Sequence, residues 1–223
     1  MSTRKTRKST AIVNPFDRRE LPPVDKITLD IIENALRNAR HEMDTVLFRS
    51  AMSPVIREQH DGFPMICTPD GRMVVGQFGS YIAGFIAEWK RGIHEGDVFL
   101  MSDPYKCKGA ISHINDWMVL IPIFYKGKQV GWSSQFGHTI DVGGPVSGSL
   151  PTDATTIFGE GMRIPVVKLF ERGKLNEDVL DLLLNNSRMP TMNYFDLMAI
   201  VAARETAAQA VWRRLGIQAS RAF

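Results

Sequence analysis

Between residues 27 and 49, apolar residues recur every three or four positions: Ile27, Ile31, Ala35, Ala39, Met43 and Val46, with Ile32, Leu36 and Leu47 widening the stripe. That period places them on one face of a helix. Ser53-Pro54 interrupts it. Two short apolar runs at 63–67 and 73–75 predict strands joined by a turn at Pro69-Asp70-Gly71. Residues 79–93 predict a helix weakened by Gly84, and residues 98–101 a strand after the turn Glu95-Gly96-Asp97. A continuous apolar run at 117–125, the turn Lys126-Gly127-Lys128 and a return run at 129–136 predict a β-hairpin. Residues 142–161 are dense in Gly, Ser, Thr and Pro and predict a long loop, a feature that in compact domains is usually functional or disordered. A strand over 164–170 and a turn at Glu171-Arg172-Gly173 follow. Asn176 is placed to cap a helix over 177–186, and Thr191 or Asn193 a last helix running to Leu215 and ended by Gly216. Phe195, Met198, Val201, Ala202 and Val211 give that last helix a core-packing face. These elements predict an α+β domain over residues 24–216, with antiparallel hairpins packed against helices and a long helix at each end.

Composition changes this picture little, but charge changes it at one end. The chain is 44% hydrophobic and 23% charged, ordinary for a globular protein. Its net charge of +3 is uneven. Residues 1–23 carry six basic and two acidic residues, and the remainder 21 basic and 22 acidic. The basic excess therefore sits in a polar tail, interrupted by Pro15, Pro22 and Pro23, for which disorder is expected. The body has no nucleic-acid footprint. No apolar stretch matches a secretory signal or a membrane span. Cys67 and Cys107 have no metal-like spacing, and together these features predict a reducing, cytoplasmic setting without disulfides.

Candidate chemistry concentrates around the hairpin. Asp116 and His138 each stand eleven positions from Gly127, so the predicted register sets them opposite each other with Cβ atoms roughly 5 Å apart. His113 lies three residues before Asp116. Two imidazoles and a carboxylate at the open end of a hairpin suit a divalent metal. On spacing alone they are equally readable as hydrogen-bonded structural residues. Asp103, before Pro104, reads as a turn residue or as a second carboxylate near the site. Arg57, Glu58, His60 and Asp61 read as a solvated loop. Gly143-Gly144 after Asp141 could offer backbone N–H groups to an anion, and Arg163, beside the Gly-rich loop, could bind a substrate carboxylate. There is neither a P-loop nor a GxGxxG pattern, so no cofactor-binding residues are assigned and ATP binding is not expected here.

The ordered set of segments resembles the hydantoinase B/oxoprolinase family, which includes the large subunits of acetone-type carboxylases. It runs through Ile27-Thr28-Leu29-Asp30-Ile31-Ile32, Ile56-Arg57-Glu58, Pro69-Asp70-Gly71-Arg72 and Gly96-Asp97-Val98-Phe99-Leu100. It continues through Asp103-Pro104-Tyr105, His113-Ile114-Asn115-Asp116, His138-Thr139-Ile140-Asp141-Val142-Gly143-Gly144, Glu160-Gly161-Met162-Arg163-Ile164-Pro165 and Lys168-Leu169-Phe170-Glu171-Arg172-Gly173. The chain departs from the family pattern at Ser102, usually Asn, and at Ala110-Ile111-Ser112, usually Gly-Gly-Thr. The resemblance implies a metal held by His113, Asp116 and His138, with Mn foremost and Fe or Zn as alternatives. It implies an A-type partner subunit that uses ATP to activate a small-molecule substrate, and a further C-terminal B-type portion, since family chains run well beyond residue 223. Asp141 or Asp103 would orient the attacking water or the ligand histidines. The expected activity is hydrolysis of a cyclic amide. The alternatives are the carboxylase branch and a non-catalytic assembly subunit.

Overall fold

A computed structural model describes residues 24–77 and 82–215 of the chain, with side chains through residue 203. The expected basic tail at 1–23, the start of the helix expected from Gly79 and the stop at Gly216 lie outside the described residues.

The amphipathic stripe forms helix α1 (Lys26–Ser50), capped by the Asp25 carboxylate, which accepts the Thr28 N–H. The proline that ends it starts a single turn, α2 (Pro54–Arg57), capped by Ser53. Strands β1 (Gly62–Cys67) and β2 (Met73–Val75) follow, then the short helix α3 (Ala83–Glu88) and β3 (Val98–Met101). The hairpin is β4 (Asp116–Tyr125) and β5 (Lys128–His138). Its turn is the pair Lys126-Gly127, both at positive φ, the conformation that matches the twist of two-residue hairpins. The long loop contains only one 3-10 turn (Ile157–Gly159). Strands β6 (Val167–Glu171) and β7 (Lys174–Leu175), helix α4 (Glu177–Asn185) and helix α5 (Pro190–Leu215) complete the described residues.

The seven strands form one antiparallel sheet in the order β2-β1-β5-β4-β3-β6-β7. The fold is the expected α+β class with a long helix at each end. Both faces of the sheet are covered, which explains the unbroken apolar run of β4. Trp117, Val119 and Ile121 pack with α1, α4 and α5, as do Val98 and Leu100. Met118 and Leu120 turn to the other face, into a cluster with Phe85, Trp89, Phe99 and Trp132. The aromatic centroids there are 4.9–6.2 Å apart.

Four details differ from the sequence reading. The helix near residue 85 ends at Glu88 instead of reaching Ile93, because Trp89 turns to extended backbone and joins the aromatic cluster. Strand β6 starts at Val167, because the Ile164 N–H and carbonyl are taken by Ser102. A two-residue β7 pairs with β6 around Arg172-Gly173. Helix α5 starts at Pro190, so neither Thr191 nor Asn193 caps it. Asn193 is instead fully buried, donating to the Asp141 carbonyl and Ser187 Oγ.

Candidate metal centre

β4 begins at Asp116 and β5 ends at His138, and the two are directly paired across the open end of the hairpin. His113 enters from the loop before β4. His113 Nε2, His138 Nδ1 and Asp116 Oδ1 form a near-equilateral triangle with sides of 3.1, 3.1 and 3.2 Å. Two donors ~2.1 Å from one ion lie ~3.0 Å apart at a right angle and ~3.4 Å apart at the tetrahedral angle. The triangle therefore fits one face of a divalent metal's coordination sphere. The trio is also the group of His, Cys, Asp or Glu among the described residues whose ligand atoms converge in this way, all within 4.8 Å.

The electrostatics follow from burial. Asp116 and His138 are buried, while the His113 side chain is 32% exposed. Burial pushes the Asp116 carboxyl up, but hydrogen bonds to His113 and His138 outweigh it, and the net value is lowered. The hydrogen bond to Asp116 raises His113 despite partial burial, helped by the charges of Asp61 and Glu160. Ser112 Oγ lies 3.0 Å from His113 Nδ1 and orients the ring, as partners of ligand histidines do. Cys107 is no rival nucleophile: burial, then the charges of Asp103 and Asp116, push its thiol up to about 12.

A residue read from sequence as solvated loop belongs here. Asp61 Oδ2 stands 3.8 Å from His138 Nδ1, and the Asp61 carbonyl accepts the His138 N–H at 3.0 Å. His60 just before it has φ 57, unusual for a non-glycine residue, and stacks on Phe48 at 4.1 Å. Asp61 extends the β1–β5 register by one position past Gly62 opposite Gly137. That pairing joins segments about 70 residues apart, so local periodicity carries no trace of it.

The other candidates lie outside the trio. Asp141 is buried and tied into the loop. Its carboxylate accepts from the backbone N–H of Gly143, Gly148 and Arg188 and from the Arg188 guanidinium. Burial raises its carboxyl, but these bonds outweigh it and lower the net value. Asp141 is therefore not brought into the trio. The Gly143 N–H is occupied by Asp141, and the Gly143 and Gly144 carbonyls accept from Arg188. Gly144 has φ +78, and a Cβ there would meet the Glu160 carbonyl at 2.8 Å, so glycine permits residues 142–144 and 160–162 to lie side by side. Asp103 caps its own turn by accepting from Tyr105 and Lys106 N–H, and its carboxylate pairs with Arg163 at 3.4 Å. The structure thus joins Asp103 to Arg163, with the Phe158 and Tyr105 rings 5.3 and 5.9 Å from the guanidinium.

Comparison with known proteins places the chain in a family. The hydantoinase B/oxoprolinase family matches residues 25–218. The chain is 38% identical over 188 residues to the caprolactamase subunit beta of Pseudomonas jessenii, covering 79% of this chain and 31% of that one. It is 35% identical over 149 residues to the acetophenone carboxylase delta subunit of Aromatoleum aromaticum, covering 62% of this chain and 21% of that one. The crystal structure of the ATP-dependent caprolactamase from Pseudomonas jessenii superposes with a TM-score of 0.78 at 33% identity, over 88% of this chain and 35% of that one. The chain thus spans about a third or less of the length of these relatives. With the family matched over nearly its whole length, the chain belongs to the hydantoinase B/oxoprolinase family.

Proposed function

We propose that this chain is the metal-bearing part of a B-type subunit of an ATP-dependent amidohydrolase that opens a cyclic amide. The observation that carries the reading is the convergence of His113, Asp116 and His138 within 4.8 Å. Two imidazoles and one carboxylate suit Mn or Fe, with Zn as the alternative, and Asp61 is positioned to complete the set. A divalent ion in this set supplies Lewis acidity and lowers the pKa of a bound water toward neutrality. Asp116 holds both imidazoles in place, and Ser112 orients the His113 ring. Arg163, held by Asp103 and flanked by aromatic rings, is suited to an anionic group on the substrate. Asp141 serves as a positioning residue, holding the loop after β5 to the start of α5.

ATP is assigned to an A-type partner, since this chain has no nucleotide motif. Caprolactam, hydantoins and 5-oxoproline are all cyclic amides. The caprolactamase subunit is the more similar of the two relatives and is matched over more of this chain, which favours the hydrolase over the carboxylase branch. The test is purification with co-purifying chains, elemental analysis and a turnover screen with ATP over caprolactam, hydantoins, 5-oxoproline and ketones. The expected result is about one divalent ion per chain, lost in His113→Ala and His138→Ala, and hydrolysis of a cyclic amide. A folded wild type that takes up no Mn, Fe or Zn would overturn the metal assignment. ATP-dependent turnover of ketones alone would move the protein to the carboxylase branch.

A further inference from the structure

Register fixes which side chains share the trio's face of the sheet, because residues two apart on a strand point the same way. Asp116 and His138 are paired at the ends of β4 and β5. Asp61 stands beside them: its carbonyl accepts the His138 N–H, and its carboxylate lies 3.8 Å from the ring. Two residues further into each strand, Met118 pairs with Phe136, and Phe136 with Phe63. These three form the next row on the same face, about 7 Å from the trio along the strands. The packing agrees with this alternation. Met118 and Phe136 join the cluster of Met65, Leu120 and Trp132, while Trp117 and Val119 pack on the opposite face.

This second row is closed at one end and open at the other. Met118 and its β3 partner Met101 are fully buried. Phe63 and Phe136 keep part of their surface open, and their ring centroids lie 5.3 Å apart, tilted by 49°. A phenylalanine left partly open forgoes some of the stabilisation that full burial gives. Here two of them make one continuous apolar surface, one row from three converging ligand atoms. Small-molecule sites combine such an apolar lining with a few convergent polar groups. We infer that Phe63 and Phe136 form the apolar floor of the substrate site. With the substrate's amide at the trio, its hydrocarbon part lies over these two rings.

The inference deepens the proposed metal-site reading and rests on it. It narrows the substrate class to cyclic amides with an extended hydrocarbon part, either a large lactam ring or an alkyl or aryl substituent. The row spacing of about 7 Å matches the reach from an amide to the far edge of such a group. An aryl group also gains from offset or edge-on contact with the two rings. A charged group over the same floor would lose its hydration without a partner, which disfavours it. Phe63 and Phe136 are thus specificity-determining residues, and the chemistry at the trio does not pass through them.

The test reads binding and needs no turnover. Hydroxamates chelate a divalent metal at one end and extend a tail from the other. Acetohydroxamate, butanohydroxamate, hexanohydroxamate and benzohydroxamate are titrated calorimetrically into the Mn-loaded protein with its co-purifying chains. Binding lost in His113→Ala assigns the probe to the trio. In wild type each added methylene should tighten binding about threefold, so hexanohydroxamate should bind about 30-fold or more tighter than acetohydroxamate. That ratio should fall about fivefold or more in Phe63→Ala and in Phe136→Ala, with Mn content unchanged. Where an alanine variant fails to fold, Phe63→Leu and Phe136→Leu take its place and should lose about threefold or more of the benzohydroxamate-to-acetohydroxamate ratio. A wild-type tail-length ratio below about threefold, or ratios unchanged in the folded variants, overturns the inference and leaves the metal reading standing. If acetohydroxamate does not bind the Mn-treated wild type, the metal reading itself fails, and the assignment of the floor fails with it.

Discussion

Asp116 is where sequence, geometry and electrostatics meet. Its carboxylate accepts from two imidazoles while buried at the end of β4, so it stays charged without metal only because His113 and His138 hold it. The pH dependence of the metal-free protein follows. His113 is raised, so its contribution is complete below the ordinary histidine value near 6.5 and is lost as pH rises through the higher folded value. Asp116 is lowered, so its contribution is present above the ordinary value of 3.8 and is lost as pH falls through the lower folded value. Metal-free protein should therefore lose stability from about pH 6.5 upward as far as this trio decides it. With Mn present the slope should reverse, because deprotonated imidazole binds metal and protonated imidazole does not. Thermal unfolding from about pH 5.5 to 8.5, with and without Mn, checks this. Parallel slopes in the two series would show that the trio does not exchange protons for metal.

Among the elements, the turn before β3 and the β6–β7 turn are held together by one buried carboxylate. Asp97 accepts the N–H groups of His94 and Arg172 and pairs with Lys168 at 3.1 Å. Burial raises its carboxyl, and these bonds more than reverse that, so it stays ionised. Asp97→Ala would leave two amides unpaired and the Lys168 ammonium with Glu171 alone, and should cost about 3 kcal/mol in urea unfolding. A cost below about 1 kcal/mol would mean that water takes over these bonds. This node also shows what the sequence makes legible. The β4–β5 hairpin and the Asp116–His138 pairing could be read because a local turn sets register by counting. The helices α1 and α4 were legible through periodicity and caps. What could not be read depends on distant partners. Asp97 looked like a turn residue, Asp61 like a solvated one, and Asp141 like a catalytic candidate, until β1, β6 and Arg188 arrived beside them. The long loop was visible as a loop, but its pairing of 142–144 with 160–162 has no periodic signature.

At the scale of the molecule, the candidate site is partly open to solvent, with the His113 side chain 32% exposed. Tyr105 and Phe158, the rings beside Arg163, are 70% and 79% exposed, an unusual cost for large side chains of this kind. Amide hydrolysis gains from a dry, enclosed site, where fixed charges act at full strength and water enters only where it reacts. In the relatives the matched segment makes up 21–35% of the length, so those proteins carry further chain outside it. The 223-residue chain should therefore fold and bind its metal by itself, yet show no ATP-dependent turnover alone. Turnover should appear when an A-type chain and the remaining B-type portion are supplied, and Tyr105 and Phe158 should then become protected from solvent. Assays of the homogeneous chain with Mn, ATP and a cyclic amide, repeated with the added chains, decide the matter. Robust hydrolysis by the chain alone would mean that the trio suffices as it stands, and that enclosure contributes little to this reaction.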